Sequence, residues 1–498
     1  MAHIRTLSAL EDLGLTPAEQ TLLQACETGS ECALDGGSLP DINMPQHARE
    51  IRAEVLRFLI IGGCDACAFH EAGVVLKGAV ITGELDLNYC KAPGAIDIQN
   101  SVFEQKIKAV GLRSELINFD GSHLNGLEAQ GMAITGSVLM RSTRHTRSIE
   151  MNGATVGGQL SLRKAILNVT SKNAITGQNI HVEGHMILHG LQANATLYLM
   201  SGVIGGQINF RDSTFGSEEG TALQGQSLTV HDMMIWKNVT VTGGAIQFLS
   251  AKFQSISTDF ENWPGQGDLK IDGMVYDRIS ASKTGADEFL AWLAKGSKHK
   301  GTFRPQPYTQ LAKVLHDMGH DTTARKVLEK REELLREDER RKMGVWAPLH
   351  YVFADKALKH LIGYGHRPFK SLWALAFLIL AAIAPAHFAW DEGSMTPNSP
   401  VILNSQGWAA HLDAHNPADS WSAKEAAGQD WETFNRYAYG FDVVIPIINF
   451  GQTDAWAPST NRGWWGQQLY WLRWVLAVAG WIVSALGAAA ITGLIRRD

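Results

Sequence analysis

Two hydrophobic rhythms divide this chain. From about Gly73 to Asp272, apolar and polar residues alternate over short stretches broken by Gly and Asn. In Gly158-Gln-Leu-Ser-Leu162 the two Leu are predicted to point inward, because successive side chains of a strand face opposite ways. Beyond Lys370 the rhythm changes. Leu372 to Trp390 and Trp474 to Ile495 contain no Asp, Glu, Lys or Arg. Each is long enough to cross a hydrocarbon core of about 30 Å.

The alternating part repeats. Leu127-Glu-Ala-Gln-Gly-Met-Ala-Ile-Thr-Gly136 aligns without gaps on stretches starting at Ile175 and Leu223, offset by 48 residues each time. An interleaved register aligns Ile149 with Leu197, again 48 apart, so each unit holds two coils of 22 and 26 residues. A fixed period with alternating apolar residues marks a stacked β-architecture, in which each coil buries the face its neighbour exposes. A sandwich of hairpins is the competing fold, and the near-constant period argues against it. At about 4.8 Å per coil, about eight coils make a rod of roughly 40 Å.

Such a rod needs capped ends. Before it, Pro45 to Ile61 reads as a helix with Ile51, Val55, Phe58 and Leu59 on one side, stopped at Gly62-Gly63. After it, Asp287 to Leu293 and then Tyr308 to Lys342 read as helices, the latter a hairpin turning at Gly319. The predicted fold is mainly β: a right-handed β-solenoid with an N-terminal helical cap, then an α-helical hairpin and two transmembrane helices. Its divisions are a cap over 1–70, the solenoid over 71–273, the hairpin over 285–345 and a juxtamembrane segment over 346–370. The spans are 371–390 and 469–495. Between them, 391–468 forms a connector holding a candidate re-entrant segment, 437–450.

Composition sharpens the division. Of 15 Trp, 11 lie at or beyond Trp373, and of 44 Lys+Arg only 6 lie beyond Lys370. Trp373, Trp390, Trp471 and Trp474 sit where an interfacial belt is expected. Lys356, Lys359, Arg367 and Lys370 precede the first span and Arg496 and Arg497 follow the second, whereas residues 391–468 hold three basic and nine acidic residues. The positive-inside rule then places both termini in the cytoplasm and the connector outside, in the inner (plasma) membrane; Arg473 dissents. Net charge of −6 excludes a general affinity for nucleic acid. The five Cys fall in the first fifth of the chain, which points to a reducing compartment rather than a disulfide framework.

Several pieces resemble a group of bacterial membrane proteins with pentapeptide-like repeats and a two-helix membrane region. They are Ile51-Arg-Ala-Glu54, Gly78-Ala-Val-Ile-Thr-Gly-Glu-Leu-Asp-Leu87, Tyr308-Thr-Gln-Leu-Ala312, Gly363-Tyr-Gly-His-Arg-Pro368 and Ile445-Pro-Ile-Ile-Asn-Phe-Gly-Gln452. The resemblance implies a solenoid and a membrane tail. Some members carry an oxidoreductase label, yet no Gly-x-Gly-x-x-Gly follows a strand here. The A(D/N)Lxx signature is degenerate, which speaks against a tight four-sided helix.

Four constellations carry candidate chemistry. Cys64-x-x-Cys67 with His70 is half a zinc site or a redox pair, against a reading as small residues at the junction of cap and solenoid. His316 and His320 have ligand spacing, but Gly319 between them marks a helix end. Arg163 and Arg211, 48 apart, are expected on one face as an anion-binding stripe; Arg141, Arg144, Arg147 and Asp212 also project from the coils. Phe441, Asp442, Pro446, Asn449 and Gly451 belong to an apolar stretch too short to span, a candidate pore or interfacial segment. No catalytic or cofactor-binding residues are assigned, and no cofactor. The leading expectation is a membrane-anchored solenoid that acts as scaffold or sensor for a cytoplasmic protein partner, with the lipid bilayer and further copies of itself as other partners. Its rivals are an oligomeric channel gated by the solenoid and a solenoid hydrolase or thiol enzyme.

Overall fold

The computed structural model describes residues 4–41, 47–64, 67, 69–265, 267–299, 302–343, 349–365, 367, 369–445 and 447–492. Pro446, Arg496, Arg497 and Pro45 lie outside them. The chain forms two units, Met1–Val327 and Leu328–Asp498, each taken by itself below.

The first unit is a parallel β-solenoid of about nine turns. Its coil lengths match the sequence period: Leu127 pairs with Ile149, Ile149 with Ile175, Ile175 with Leu197 and Leu197 with Leu223. These stacked residues, with Ile246 and Leu269 above them, are all buried and form one inward column.

The coil is four-sided, contrary to the expectation from the degenerate signature. Ile107–Lys108, Arg113–Ser114, Ile117–Asn118 and His123–Leu124 make the four short strands of one turn before Leu127 stacks on Ile107. The reason is the step rather than the letters. Ile107, Leu112, Ile117, Ser122, Leu127 and Met132 are buried at five-residue intervals, each followed two positions later by another buried residue. Any side chain that fills the inward position keeps the corner. At one corner Tyr89, Gly111, Gly131, Gly153, Asn179, Ser201, Ser227 and Ser250 stack with φ between 54 and 64°. There the Gly131 N–H donates to Asn152 of the next coil at 2.9 Å.

The ends are closed differently. At the N-terminal end Cys32–Ala33 and Glu50–Arg52 add strands beneath the first full coil. Of the segment read as one helix, His47–Arg49 is a short 3-10 turn, Glu50–Arg52 is strand, and the helix covers only Ala53–Ile60. Arg52 is held there by Glu19, which is fully buried and accepts from the Arg52 backbone N–H at 3.0 Å and its Nε at 2.8 Å. At the other end an aromatic plug closes the core, with Trp236 stacked on Trp263 at 4.6 Å and Trp292 5.8 Å beyond. Trp292 belongs to the helix Ala286–Gly296, followed by Gln306–Asp317 and Asp321–Met343.

The second unit holds two helices long and apolar enough to cross a membrane, Lys370–Asp391 and Trp464–Ile491, each with mean hydropathy 2.0 and mostly exposed sides. They pack antiparallel through small residues. Phe388 stacks on Trp465 at 4.7 Å, and a side chain on Gly487 would meet Ser371 Oγ at 2.7 Å. Glu392 accepts from the Trp464 and Trp465 N–H groups, both at 2.9 Å, and so caps the second helix with a carboxylate. The connector is folded: Met395–Pro397 pairs with Trp456–Pro458, and Trp408, Trp421, Tyr439 and Trp456 share one core with both spans.

Candidate functional site

The solenoid turns a sequence period into a charged column. The residue after the second inward position is held in register by backbone bonds between coils. Ser142 N–H donates to the Arg163 carbonyl, Lys164 N–H to His189 and Gly190 N–H to Arg211, each at 2.8 Å, and Asp212 N–H to Lys237 at 3.0 Å. Arg141, Arg163, His189, Arg211 and Lys237 thus occupy five consecutive rungs. Below them stands Asp120, which accepts from Arg141 Nε at 2.6 Å. Above them Asp259 occupies the same position, its backbone N–H donating to the Trp236 carbonyl.

Arg163 and Arg211 therefore share the column expected of them, two rungs apart with His189 between. Both are exposed, and neither they nor Lys164 and Lys237 enter an ion pair among the described residues. The nearest counter-charge is Asp212, 3.8 Å from His189 Nε2 and bonded to Asn238. Arg144 lies in a different column, with His123 and Ile166. Sequence spacing exposed only the 48-residue pair; the intervening 22- and 26-residue steps bring in His189 and its neighbours.

Near the top of the column lies a cleft of about 490 Å³ lined by Asn238, Asp259, Glu261, Lys283, Trp292 and Lys295, among others. Its charges largely satisfy one another. Lys283 pairs with Glu261, and Lys295 Nζ donates to the carbonyls of Phe260 and Trp263 at 3.1 and 2.9 Å. Burial pulls the Lys295 ammonium below its usual range.

The connector brings the second set of residues together. Helix Arg436–Val444 lies against both spans. Arg436 meets His387 Nδ1 at 2.9 Å near the C-terminal end of the first apolar helix. Deeper, Gly440 faces the Ile379 carbonyl, and Val444 presses its own carbonyl on Gly480. Asp442 accepts from the backbone N–H groups of Phe450, Gln452 and Thr453 at 2.6, 2.7 and 3.3 Å and so folds the loop back on itself. Asn449 closes the same turn through Gly451 N–H at 2.6 Å. Ile447, Ile448 and Phe450 are left exposed at 85, 42 and 52 %. Phe441 packs edge-on against Phe450 at 6.2 Å. Arg473 lies within the second helix, facing Tyr439 and stacked over Tyr470 at 4.9 Å.

The cysteine motif is only partly assembled. Cys64 Sγ and Cys67 Sγ lie 2.6 Å apart. His70 turns to the cap instead: its N–H donates to the Cys26 carbonyl at 2.8 Å, and its Nδ1 accepts from Ala72 N–H. Among the described residues no three His, Cys, Asp or Glu side chains converge as metal ligands. His316 bonds Asp321 at 2.6 Å, and Gly319 ends the helix with φ 82°.

One cluster had no sequence signal. Asp355, nearly buried, accepts from Arg340 Nη1 at 2.9 Å and Tyr364 OH at 3.1 Å, with Arg336 Nε 3.6 Å away. Burial and the neighbouring Asp355 carboxylate push the Tyr364 phenol above its usual range. Arg336 also packs over the Tyr364 ring at 5.0 Å. On the same helix Glu337 pairs with Arg341 at 3.2 Å.

No protein-family profile, curated protein or solved structure matches this chain.

Proposed function

We propose that this chain is a membrane-anchored scaffold whose solenoid holds a protein partner on the cytoplasmic side of the membrane. The observation that supports this reading is the column Arg141–Arg163–His189–Arg211–Lys237. Parallel coils hold it at constant pitch, and among the described residues Arg163, Arg211 and Lys237 enter no ion pair. Both ends of the solenoid are closed by its own chain, so recognition falls to the sides. Rigid, pre-positioned side chains reduce the ordering cost of binding. The basic flanks of the first apolar helix support a solenoid on the inside and an acidic connector outside.

The test uses intact membranes. A photoreactive residue at Arg163 is expected to give one defined protein adduct, which the same group at Arg144 or Thr155, in other columns, does not. Adducts of equal yield from all three positions, or none from any, overturn the scaffold. An impermeant thiol reagent is expected to reach single cysteines placed in residues 400–430 and not those in the solenoid.

A second reading, an oligomeric channel, draws on the helix Arg436–Val444 between the spans. It predicts conductance in a planar bilayer, with ion selectivity altered by Asp442→Asn. A silent bilayer with well-folded protein eliminates it.

A further inference from the structure

The basic column has a definite length, and that length describes its ligand. Five rungs, four of them Arg or Lys and the middle one His189, stand between Asp120 below and Asp259 above. Asp120 is already taken by Arg141 and Asp259 by Ser282, whose Oγ lies 3.1 Å away. At about 4.8 Å per coil the five rungs cover roughly 19 Å. An extended polypeptide rises about 3.3 Å per residue, so roughly six residues match that height.

We propose that the column binds an extended acidic segment of a protein, lying along the solenoid axis with its carboxylates turned toward the line of Arg163, His189, Arg211 and Lys237. The proposal rests on the scaffold reading and names the chemistry of its partner. Guanidinium groups favour carboxylates through paired, charge-assisted bonds, and two of the rungs are Arg with no carboxylate of their own. Lys164, exposed beside Arg163, adds a further cation to the same flank.

Broader anions fit less well. The cationic feature is a line one residue wide, closed at both ends by carboxylates and interrupted by Asp212. The whole chain carries −6. A duplex or an anionic bilayer presents a wide negative surface, which would meet those carboxylates as well as the line. A single extended strand meets the line alone.

The probe is a fluorescent peptide of alternating Glu and Ser, titrated against the full chain in neutral-lipid nanodiscs. Saturable binding that weakens with salt is expected. Arg163→Glu with Arg211→Glu is expected to weaken it more than about tenfold, as loss and reversal of two charge-assisted pairs require. Arg144→Glu, in another column, is expected to leave it within about twofold, since rim charges away from a contact contribute little. Unchanged thermal midpoints would show that the variants fold. The proposal is overturned if the peptide does not bind, or if both variants weaken it equally. It is also overturned if oligothymidylate or phosphatidylserine vesicles bind more tightly than the peptide with the same dependence on Arg163 and Arg211. In any of those outcomes a face-specific photo-adduct in membranes would still uphold the scaffold, on a different chemistry.

Discussion

Gly480 of the second apolar helix lies flush against the carbonyl of Val444, so that a Cβ on it would collide with that oxygen. The connector helix is seated against the second apolar helix by backbone contact. Gly480→Val is therefore expected to unseat Arg436–Val444. The thermal midpoint of the chain in nanodiscs should fall, by an overpacking cost of about 1–3 kcal/mol, and proteolysis of the connector should quicken. Equal midpoints for Gly480→Val and the unaltered chain would show that the two elements do not touch.

Asp442 holds the turn that follows. Its carboxylate serves three backbone N–H groups, and hydrogen bonds to charged groups are worth about 1.5–3 kcal/mol in favourable settings. Asp442→Ala should speed hydrogen exchange at Phe450, Gln452 and Thr453 while leaving the solenoid amides unchanged. Uniform exchange across both variants would refute the anchor.

His145 is the polar exception in an apolar column, paired above and below with Leu124 and Leu167. Burial pushes its imidazole down to about 3, with Thr143 Oγ1 at 3.0 Å as its one partner. Above about pH 6.5 both folded and unfolded chains carry it neutral, and it adds no pH dependence. Between there and about 3 the unfolded chain binds a proton that the folded one refuses. Stability should then fall with pH by up to about 1.4 kcal/mol per unit, or about 2 kcal/mol at pH 5 from this residue. Protection factors of the amides around His145, corrected for the intrinsic pH dependence of exchange, should fall between pH 7 and pH 5, and His145→Leu should remove that part of the slope. A slope unaffected by the substitution would assign the pH response elsewhere.

Four of the five cysteines should separate into two classes. Burial pushes the Cys26 and Cys32 thiols up to about 12 and about 11, so they should resist alkylation in the folded chain. Cys64 and Cys67 are half-exposed and adjacent. Oxidised glutathione should convert them to a disulfide, the two thiols yielding two electrons and two protons to form two reduced glutathiones. Peptide mapping without reduction reads this directly. A mixed disulfide persisting on Cys64, with Cys67 free, would show that the pair cannot close.

The solenoid was legible because its determinants are local and repeated. Leu127, Ile149, Ile175, Leu197 and Leu223 advertise the coil by recurring, and each sits where the next must stack. The strand Glu50–Arg52 was not legible, because Ile51, Val55 and Phe58 suit a helical stripe equally well. The deciding contact, Arg52 with Glu19, comes from 33 residues away. Distance in sequence also hid the ion pairs of Asp355 and the seat of Val444 on Gly480. The Arg163–Arg211 stripe was half visible. Equal spacing revealed those two, while the unequal steps to His189 and Lys237 needed the coil's real turn length.

A four-cornered coil built from sides of about five residues or slightly more also constrains how this chain can change length. Removing a whole turn would shorten the rod and leave every remaining outward residue above its former neighbour. Removing five residues would rotate all later coils by one side. Lys237 would then leave the line of Arg163 and Arg211, although no residue of that line had been touched. Lineages that preserve the stripe should therefore differ in length by complete circuits.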